Sequence, residues 1–349
     1  MDKIPVAVLA ATGAVGQRFV QLLVDHPWFE ITTLAASERN VGKKYMDACQ
    51  WVIPGDPPPS LADMVVSPLE TSLPARIVFS ALPSSVAREV EPLFAQAGYA
   101  VCSNASAFRM APDVPLLIPE LNADHLGLIE KQRAERGWSG LIVTSPNCTT
   151  TAAVMPLKPL DEAFGLQNVF VASLQAASGA GYPGVSSLDI LDNIIPYIPG
   201  EEEKIENETR VLLGHMEEGQ RVDADIAITA HANRVPVVDG HTVCLSMGFK
   251  AKPTADEAMA VLSGYRGLDP GHGLPSAPEH PILVTTQPDR PQPRRDRDAH
   301  GGMVATVGRV RPCQLLDLRL VSTIHNTLRG AASGSILNAE LLVAEGYVT

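Results

Sequence analysis

Val6-Ala7-Val8-Leu9-Ala10-Ala11-Thr12-Gly13-Ala14-Val15-Gly16-Gln17-Arg18-Phe19-Val20-Gln21-Leu22-Leu23 decides the fold. The first five residues are an apolar run of strand length, and beyond Gln17 apolar residues recur at helical spacing. Between the two lies a turn with glycines at 13 and 16. Strand, glycine turn and helix in that order bring the free N–H groups of a helix N-terminus up to a diphosphate. The stretch therefore predicts a dinucleotide-binding β-α-β unit, with Thr12, Gly13, Ala14 and Val15 at the cofactor. Gly13 would let the turn approach the pyrophosphate, and Gly16 would let the helix pack on the strand. Ala10 stands where the motif has its first glycine, which leaves the tightness of the turn open.

Working outward, Ile31–Ala36 reads as the second strand, followed by Ser37-Glu38-Arg39-Asn40-Val41-Gly42-Lys43-Lys44. An NAD site usually carries an acidic residue at this strand end, for the ribose hydroxyls. Here Ser37 ends the strand, with Arg39, Lys43 and Lys44 behind it. That cluster suits a 2′-phosphate, so the cofactor reads as NADP; a solvated basic loop is the competing reading, kept open by Glu38. Ile77–Pro83 and Ala100–Ser103 are further strands, with helical spacing from Val86 to Phe94 between them. This alternation predicts an α/β fold, a parallel sheet with helices on both faces. The loop Asn104–Met110 follows a strand's carboxyl end, where such sheets bind ligands, which makes Arg109 a candidate anion ligand. Residues 121–138 read as a polar helix with a solvated face.

Gly140–Thr144 is a short buried strand that stops at Ser145-Pro146, and a helix follows the threonines at 149–151. Asn147 is the expected N-cap, which puts Cys148 at a helix N-terminus. The helix dipole and free N–H groups there are expected to lower the thiol's pKa and to hold an oxyanion. The competing reading is a buried cysteine at a strand end. After Cys148 the pattern changes. Val169–Gln175 is a strand, and Ser178-Gly179-Ala180-Gly181-Tyr182-Pro183-Gly184 is flexible. Glu201–Glu208 reads as a charged helix on which Glu201 and Lys204, three apart, share a face; on spacing alone it is a solvated, ion-paired helix. Arg234 precedes an Asp239-Gly240 turn, and His241 follows it directly, so that histidine is a candidate acid/base. Residues 264–302 form a long irregular excursion, with Asp289–Arg294 a structural or interface loop. The chain regains order at Val304–Val310 and closes with a helix through Ala331–Leu342.

A chain of 349 residues has room for about two domains. With 45% hydrophobic and 19% charged residues, its composition is that of an ordinary globular protein. A net charge of −12 argues against a nucleic-acid or acidic-membrane partner. No apolar run reaches the ~18 residues of a membrane span, and the first residues lack a signal-peptide layout. Five scattered cysteines without Cys-x-x-Cys spacing disfavour a disulfide framework or a zinc site and fit a reducing cytoplasm.

A nicotinamide site, a nucleophilic cysteine, a histidine and several anion-binding basic groups belong to one chemistry: acyl transfer to cysteine coupled to hydride transfer. Along essentially its whole length the chain resembles aspartate-semialdehyde dehydrogenase, of the archaeal/fungal-type branch. The resemblance rests on Ala11-Thr12-Gly13-x-Val15-Gly16-Gln17-Arg18-Phe19, Asn104-Ala105-Ser106 with Arg109-Met110, and Pro146-Asn147-Cys148. It continues in Gln175 with Ser178-Gly179-Ala180-Gly181, Glu201-Glu202-Glu203-Lys204, Asn233-Arg234 with Asp239-Gly240-His241, and His325-Asn326-Thr327-x-Arg329-Gly330. It implies that Cys148, beside Asn147, is the acyl-thioester nucleophile, His241 the acid/base and Gln175 a substrate-orienting group. Arg234 would clamp the substrate α-carboxylate, Glu201 its α-ammonium, and Arg109 and Lys204 the phosphate. Ser178, Gly179 and Asn326 would close over the cofactor, joining the turn residues and Ser37 and Arg39.

The implied reaction is the reversible NADPH-dependent reduction of L-aspartyl 4-phosphate to the semialdehyde and phosphate, in lysine, threonine and methionine biosynthesis. The implied architecture is a Rossmann-type domain over 1–147 and 326–349, and a mixed α+β catalytic and dimerisation domain over 148–325. A cytoplasmic homodimer or homotetramer is expected, with small molecules as its ligands. Malonyl-CoA reductase is the nearest rival; its pattern lacks the asparagine before the cysteine and the Glu-x-x-Lys pair, both present here. N-acetylglutamyl-phosphate reductase matches less of the chain. An inactive NADP-binding regulator would have no need of both Cys148 and His241, and a cysteine hydrolase no need of the Gly13 turn.

Overall fold

A computed structural model describes residues 2–267 and 273–348, so part of the 264–302 excursion lies outside the described residues. The first half of the chain is β1 (Ile4–Leu9), α1 (Ala14–Leu23), β2 (Phe29–Ala35), β3 (Ile77–Ser80), α2 (Ser84–Gln96), β4 (Ala100–Ser103), α3 (Leu128–Arg136) and β5 (Leu141–Thr144). Its five strands form one parallel sheet in the order β2-β1-β3-β4-β5. Sequence order reverses at β1, so the carboxyl ends of β1 and β3 flank the crevice in which such sheets bind ligands.

The side chains alternate strictly. Val6, Val8, Phe79 and Val143 face one layer with Phe19 of α1, while Ala7, Val78, Val101 and Ile142 face the other with Phe94 of α2. Both faces are covered, which is why β3, β4 and β5 read as continuous apolar runs rather than alternating ones.

Two residues shape the first turn. Ala10 adopts φ +58°, the left-handed conformation its motif reserves for glycine, and Gly13 N–H closes the turn on Ala10 O at 3.0 Å. The alanine fits, at a cost of about 1–2 kcal/mol. A Cβ on Gly16 would lie 2.2 Å from Ala10 O, so no other residue lets α1 sit this close to β1.

Residues 121–138 are not one helix. They comprise the end of a turn at Pro119–Asn122, a 3-10 segment at Ala123–Gly127, and α3. Nor is the face wholly solvated: Gln132 is buried, donating to the carbonyls of Asp113 and Ile142 and accepting from Ile142 N–H. A polar residue here takes the place of a ladder partner along the edge strand β5.

The rest of the chain is α4 (Cys148–Phe164), β6 (Leu166–Gln175), α5 (Glu201–Leu213), a small hairpin of β7 (His215–Glu217) and β8 (Gln220–Val222), β9 (Ala227–Arg234) and β10 (His241–Phe249), then α6 (Ala255–Gly264), β11 (Ile282–Thr285), β12 (Ala305–Pro312), β13 (Leu318–Ile324) and α7 (Ser333–Ala344). Its main sheet is mixed, in the order β11-β12-β13-β10-β6-β9. One face packs Val171, Val243 and Leu245 against Ala153, Val154 and Leu157 of α4. The other leaves Phe170, Leu174 and Cys244 exposed.

The closing helix begins two residues later than expected, because Leu328–Ala332 form a π-helical turn first. The helix then returns to the first sheet, with Ile336, Leu337 and Leu341 in the core of Phe19 and Phe79. Glu340 on it accepts from Ser276 N–H and Oγ and pairs with His26 at 2.8 Å, tying the excursion to the first sheet. In the 289–294 loop Arg290 pairs with Asp296.

Candidate active site

A pocket of about 1270 Å³ opens between the carboxyl ends of the first sheet and the edge of the second. Cys148 lines it, with Asn147, Arg109, Glu201, Lys204 and Arg234. The sequence scatters these six residues over 126 positions; four elements converge to bring them together.

Asn147 caps α4. Its Oδ1 accepts from the backbone N–H groups of Thr149 (2.8 Å) and Thr150 (3.0 Å), satisfying two of the helix's open donors. Cys148 is thus the first residue of the helix. The expected fall in its pKa is not what the surroundings produce. Burial first, and then the nearby Glu201 carboxylate, push the Cys148 thiol up to about 12. Arg109, Arg234 and the Thr149 N–H pull the other way and are outweighed. Desolvation of an anion costs more here than one helix terminus returns. Gly330, in the π-helical turn, closes the back of the site: a Cβ there would stand 2.7 Å from that of Cys148.

α5 supplies the acidic side. Glu201 Oε1 accepts from Asn147 Nδ2 at 2.8 Å and from Thr149 Oγ1 at 3.2 Å, and Oε2 lies 3.5 Å from Lys204 Nζ. The face shared by Glu201 and Lys204 is therefore turned to the pocket, not to bulk water. Arg109 is buried, with Nη2 donating to Asn104 O at 2.7 Å and Nη1 paired at 3.0 Å with Glu208. Glu208 is a residue the sequence reading left in a solvated run. The available signal was its place seven residues from Glu201, on the stripe that buries Ile205 and Leu212.

Gln175 and His241 lie behind the pocket wall, both fully buried. Gln175 ends β6 directly opposite Arg234 on β9, and its Nε2 donates to Ser173 Oγ at 3.3 Å. His241 Nδ1 accepts the Ala176 N–H at 3.0 Å, so the neutral ring carries its proton on Nε2, which has no hydrogen-bond partner among the described residues. Burial, with Arg234 and His325 adding to it, pushes His241 down to about 3. In this arrangement the imidazole is a neutral donor at Nε2; it accepts a proton there only if the Ala176 bond is given up. Gly179 lies over both groups, for a Cβ there would meet Arg234 Nη1 at 2.8 Å and His241 Nε2 at 3.0 Å.

The Ser178-Gly179 segment is held by Asn326, whose Nδ2 donates to Ser178 Oγ and whose Oδ1 accepts from Gly240 N–H, both at 2.8 Å. One asparagine thus joins the segment over the pocket to the turn before His241.

At the other end Ala14 and Val15, in the first turn of α1, line the pocket. The helix has no side-chain cap at Gly13, so its first N–H groups are open to a diphosphate, and a Cβ on Gly13 would meet only Ala10 O, at 3.5 Å. Thr12 lies beside them, its hydroxyl accepting from Asn40 Nδ2 at 3.4 Å. Ser37 and Arg39 stand exposed at the carboxyl end of β2, outside the pocket lining. Of the basic cluster, Lys44 is taken by Asp63 at 2.7 Å. These residues fit a dinucleotide: an open helix terminus, a close strand-helix turn, and exposed basic groups at the second strand's end. Gln17, quoted in the sequence only as part of the first motif, was given no role of its own there. It accepts Val52 N–H at 2.8 Å and so holds the Val52–Pro54 segment that forms one pocket wall.

Family models match both halves: "Semialdehyde dehydrogenase, NAD binding domain" over residues 5–129 and "Semialdehyde dehydrogenase, dimerisation domain" over 157–329. The chain is 54% identical to the aspartate-semialdehyde dehydrogenase of Archaeoglobus fulgidus, over 98% of this chain and 99% of that protein. It is 47% identical to that of Schizosaccharomyces pombe, over 98% and 99%. The crystal structure of the aspartate-semialdehyde dehydrogenase of Candida albicans with NADP superposes with a TM-score of 0.92 at 43% identity, covering 99% of this chain and all of that one.

Proposed function

The chain belongs to the aspartate-semialdehyde dehydrogenase family, and we propose that its pocket carries that activity: L-aspartate 4-semialdehyde, phosphate and NADP are interconverted with L-aspartyl 4-phosphate and NADPH, in amino-acid biosynthesis. The observation that carries this reading is the charge set around Cys148. A substrate with an α-carboxylate, an α-ammonium and a phosphate needs three complementary partners in a partly dry site. Arg234, Glu201, and the pair Arg109 and Lys204 supply them along one pocket.

In the oxidative direction the substrate's carboxylate is held by Arg234, whose Nη1 is fixed on Ala176 O at 2.8 Å. Cys148 sulfur adds to the aldehyde carbon as the thiol proton passes to the aldehyde oxygen, giving a thiohemiacetal. With the Thr149 and Thr150 N–H groups taken by the Asn147 cap and the Asn147 N–H by Glu208, the backbone N–H of Cys148 and the His241 Nε2–H are the donors offered to the oxygen that gains charge. Bound NADP would supply the hydride acceptor, and with the hydroxyl proton released to water the adduct would become a thioester on Cys148. Phosphate held by Arg109 and Lys204 then attacks the thioester carbon, the C–S bond breaks, and aspartyl phosphate leaves with the thiolate restored. Gln175 fixes the wall against which the substrate lies, and Ser178, Gly179 and Asn326 shut the pocket over the cofactor. Thr12, Gly13, Ala14 and Val15 receive the diphosphate, and Ser37 and Arg39 the 2′-phosphate. Residues 1–147 with 326–349 make up the cofactor-binding part, and 148–325 the catalytic and pairing part.

The exposed face of the second sheet shows Phe170 and Leu174, and the segment running beside the end of β9 exposes Leu191, Ile194 and Tyr197. Pairing of two copies over this face would cover that surface, in a homodimer or a homotetramer. No helix of the described residues is long and apolar enough to cross a membrane, and we place the enzyme in the cytoplasm.

The function is tested by following absorbance of the reduced cofactor in two reactions. NADP reduction by L-aspartate semialdehyde should require phosphate and saturate with it, and NADPH should not be oxidised with malonyl-CoA. Turnover of malonyl-CoA without phosphate-dependent oxidation of the semialdehyde would overturn the proposal.

A further inference from the structure

We propose that Glu208 is a positioning residue that sets the charge and the aim of Arg109 at the phosphate end of the site, an inference that rests on the function proposed above. Glu208 is buried on α5, and both its oxygens are committed. One pairs with Arg109 Nη1 at 3.0 Å, and the other accepts the backbone N–H of Asn147 at 2.6 Å. Asn147 is the cap of α4 and the residue before Cys148. A single carboxylate thus joins the arginine facing the phosphate to the turn that carries the nucleophile.

Two features separate this from an ordinary packing contact. First, only a carboxylate accepts at both ends; an amide of the same length would turn its NH2 toward either the guanidinium or the Asn147 N–H. Second, Arg109 is not spent by the pair. Its Nε has no partner among the described residues, and the side chain lines the pocket. Glu208 and Asn104 O hold the terminal nitrogens, leaving the guanidinium oriented, part-neutralised and still able to donate to a phosphate oxygen. An unneutralised buried arginine would bind a dianion more tightly and release it more slowly, and a site that runs reversibly needs phosphate to leave. Arg109 also acts on Cys148, one of the cations that draw its thiol toward the thiolate; Arg234 is the other, and Glu201 opposes both.

The test compares Glu208→Gln, which keeps the size and loses the charge, with Glu208→Asp, which keeps the charge. Two quantities are read on the purified full chain: the inhibition constant of inorganic phosphate against aspartyl phosphate reduction, and the pH profile of Cys148 alkylation by iodoacetamide without substrate. In Glu208→Gln the phosphate constant should fall about tenfold or more, and the alkylation profile should move to lower pH. In Glu208→Asp both should stay within about threefold of wild type. A merely structural Glu208 would change thermal stability and leave both readouts in place, and that result overturns the inference. So does weaker phosphate binding in Glu208→Gln, or an equal change in the two variants. If the wild type itself shows no phosphate-dependent turnover, the proposed function fails; the alkylation profile, which needs no substrate, still decides the link from Glu208 to the thiol.

Discussion

Cys148→Ser lowers turnover of L-aspartate semialdehyde by at least about a thousandfold, ~4 kcal/mol of barrier, while NADP binding stays within about twofold of wild type. The reasoning starts from desolvation. Burial and Glu201 hold even the Cys148 thiol up at about 12, and the pull of Arg109, Arg234 and the Thr149 N–H only partly offsets that. A serine hydroxyl ionises far less readily than a thiol, and the same cations cannot make up the difference. An alkoxide also leaves less readily than a thiolate when phosphate attacks the acyl group, so both half-reactions suffer. Cofactor affinity is spared because Gly13–Val15 and Ser37–Arg39, the residues proposed to receive the diphosphate and the 2′-phosphate, belong to other elements. Steady-state kinetics with a parallel NADP titration make the check. Activity retained within about tenfold would exclude Cys148 as the nucleophile.

Arg234→Lys is expected to lower kcat/KM for the semialdehyde by roughly 2–4 kcal/mol, about thirtyfold to a thousandfold, with little change in NADP affinity. Lysine keeps the charge and loses the planar fork. Arg234 is buried at the end of β9, and one arm is fixed on Ala176 O. That anchor leaves the other edge of the guanidinium for a carboxylate, in a site dry enough to lower the arginine's own pKa. A flexible ammonium would have to satisfy Ala176 O and the substrate from one nitrogen. The comparison is kcat/KM for wild type and variant, alongside thermal melts to show that the variant is folded. A loss smaller than about fivefold would remove Arg234 from the carboxylate clamp.

The first sheet was legible because its signals are local. A run of five apolar residues, two glycines three apart and a helical repeat occupy eighteen consecutive positions, and each says the same thing about Val6–Leu23. Asn147 as cap of the Cys148 helix was legible for the same reason. What the sequence hid depends on distance in space. Glu208 looks like any residue of the acidic run from Glu201, and its partners Arg109 and Asn147 lie 99 and 61 positions away. The thiol's raised pKa was also hidden, since it is a balance of burial and three charges brought in from separate elements. The tautomer of His241 is set by the Ala176 N–H, 65 residues away in sequence. Residues 121–138 misled because a buried Gln132 is indistinguishable in sequence from an exposed one.

The central claim, that Cys148 carries the substrate as a thioester, is tested most directly by trapping it. The protein is mixed with L-aspartate semialdehyde and NADP in phosphate-free buffer, quenched in acid, digested and analysed by mass spectrometry. The account predicts one aspartyl group on the peptide containing Cys148, in near-stoichiometric yield with the first turnover of NADP reduction, and its loss when phosphate is added before the quench. NADP reduction with an unmodified Cys148 peptide, or an aspartyl group on a different residue, would contradict it.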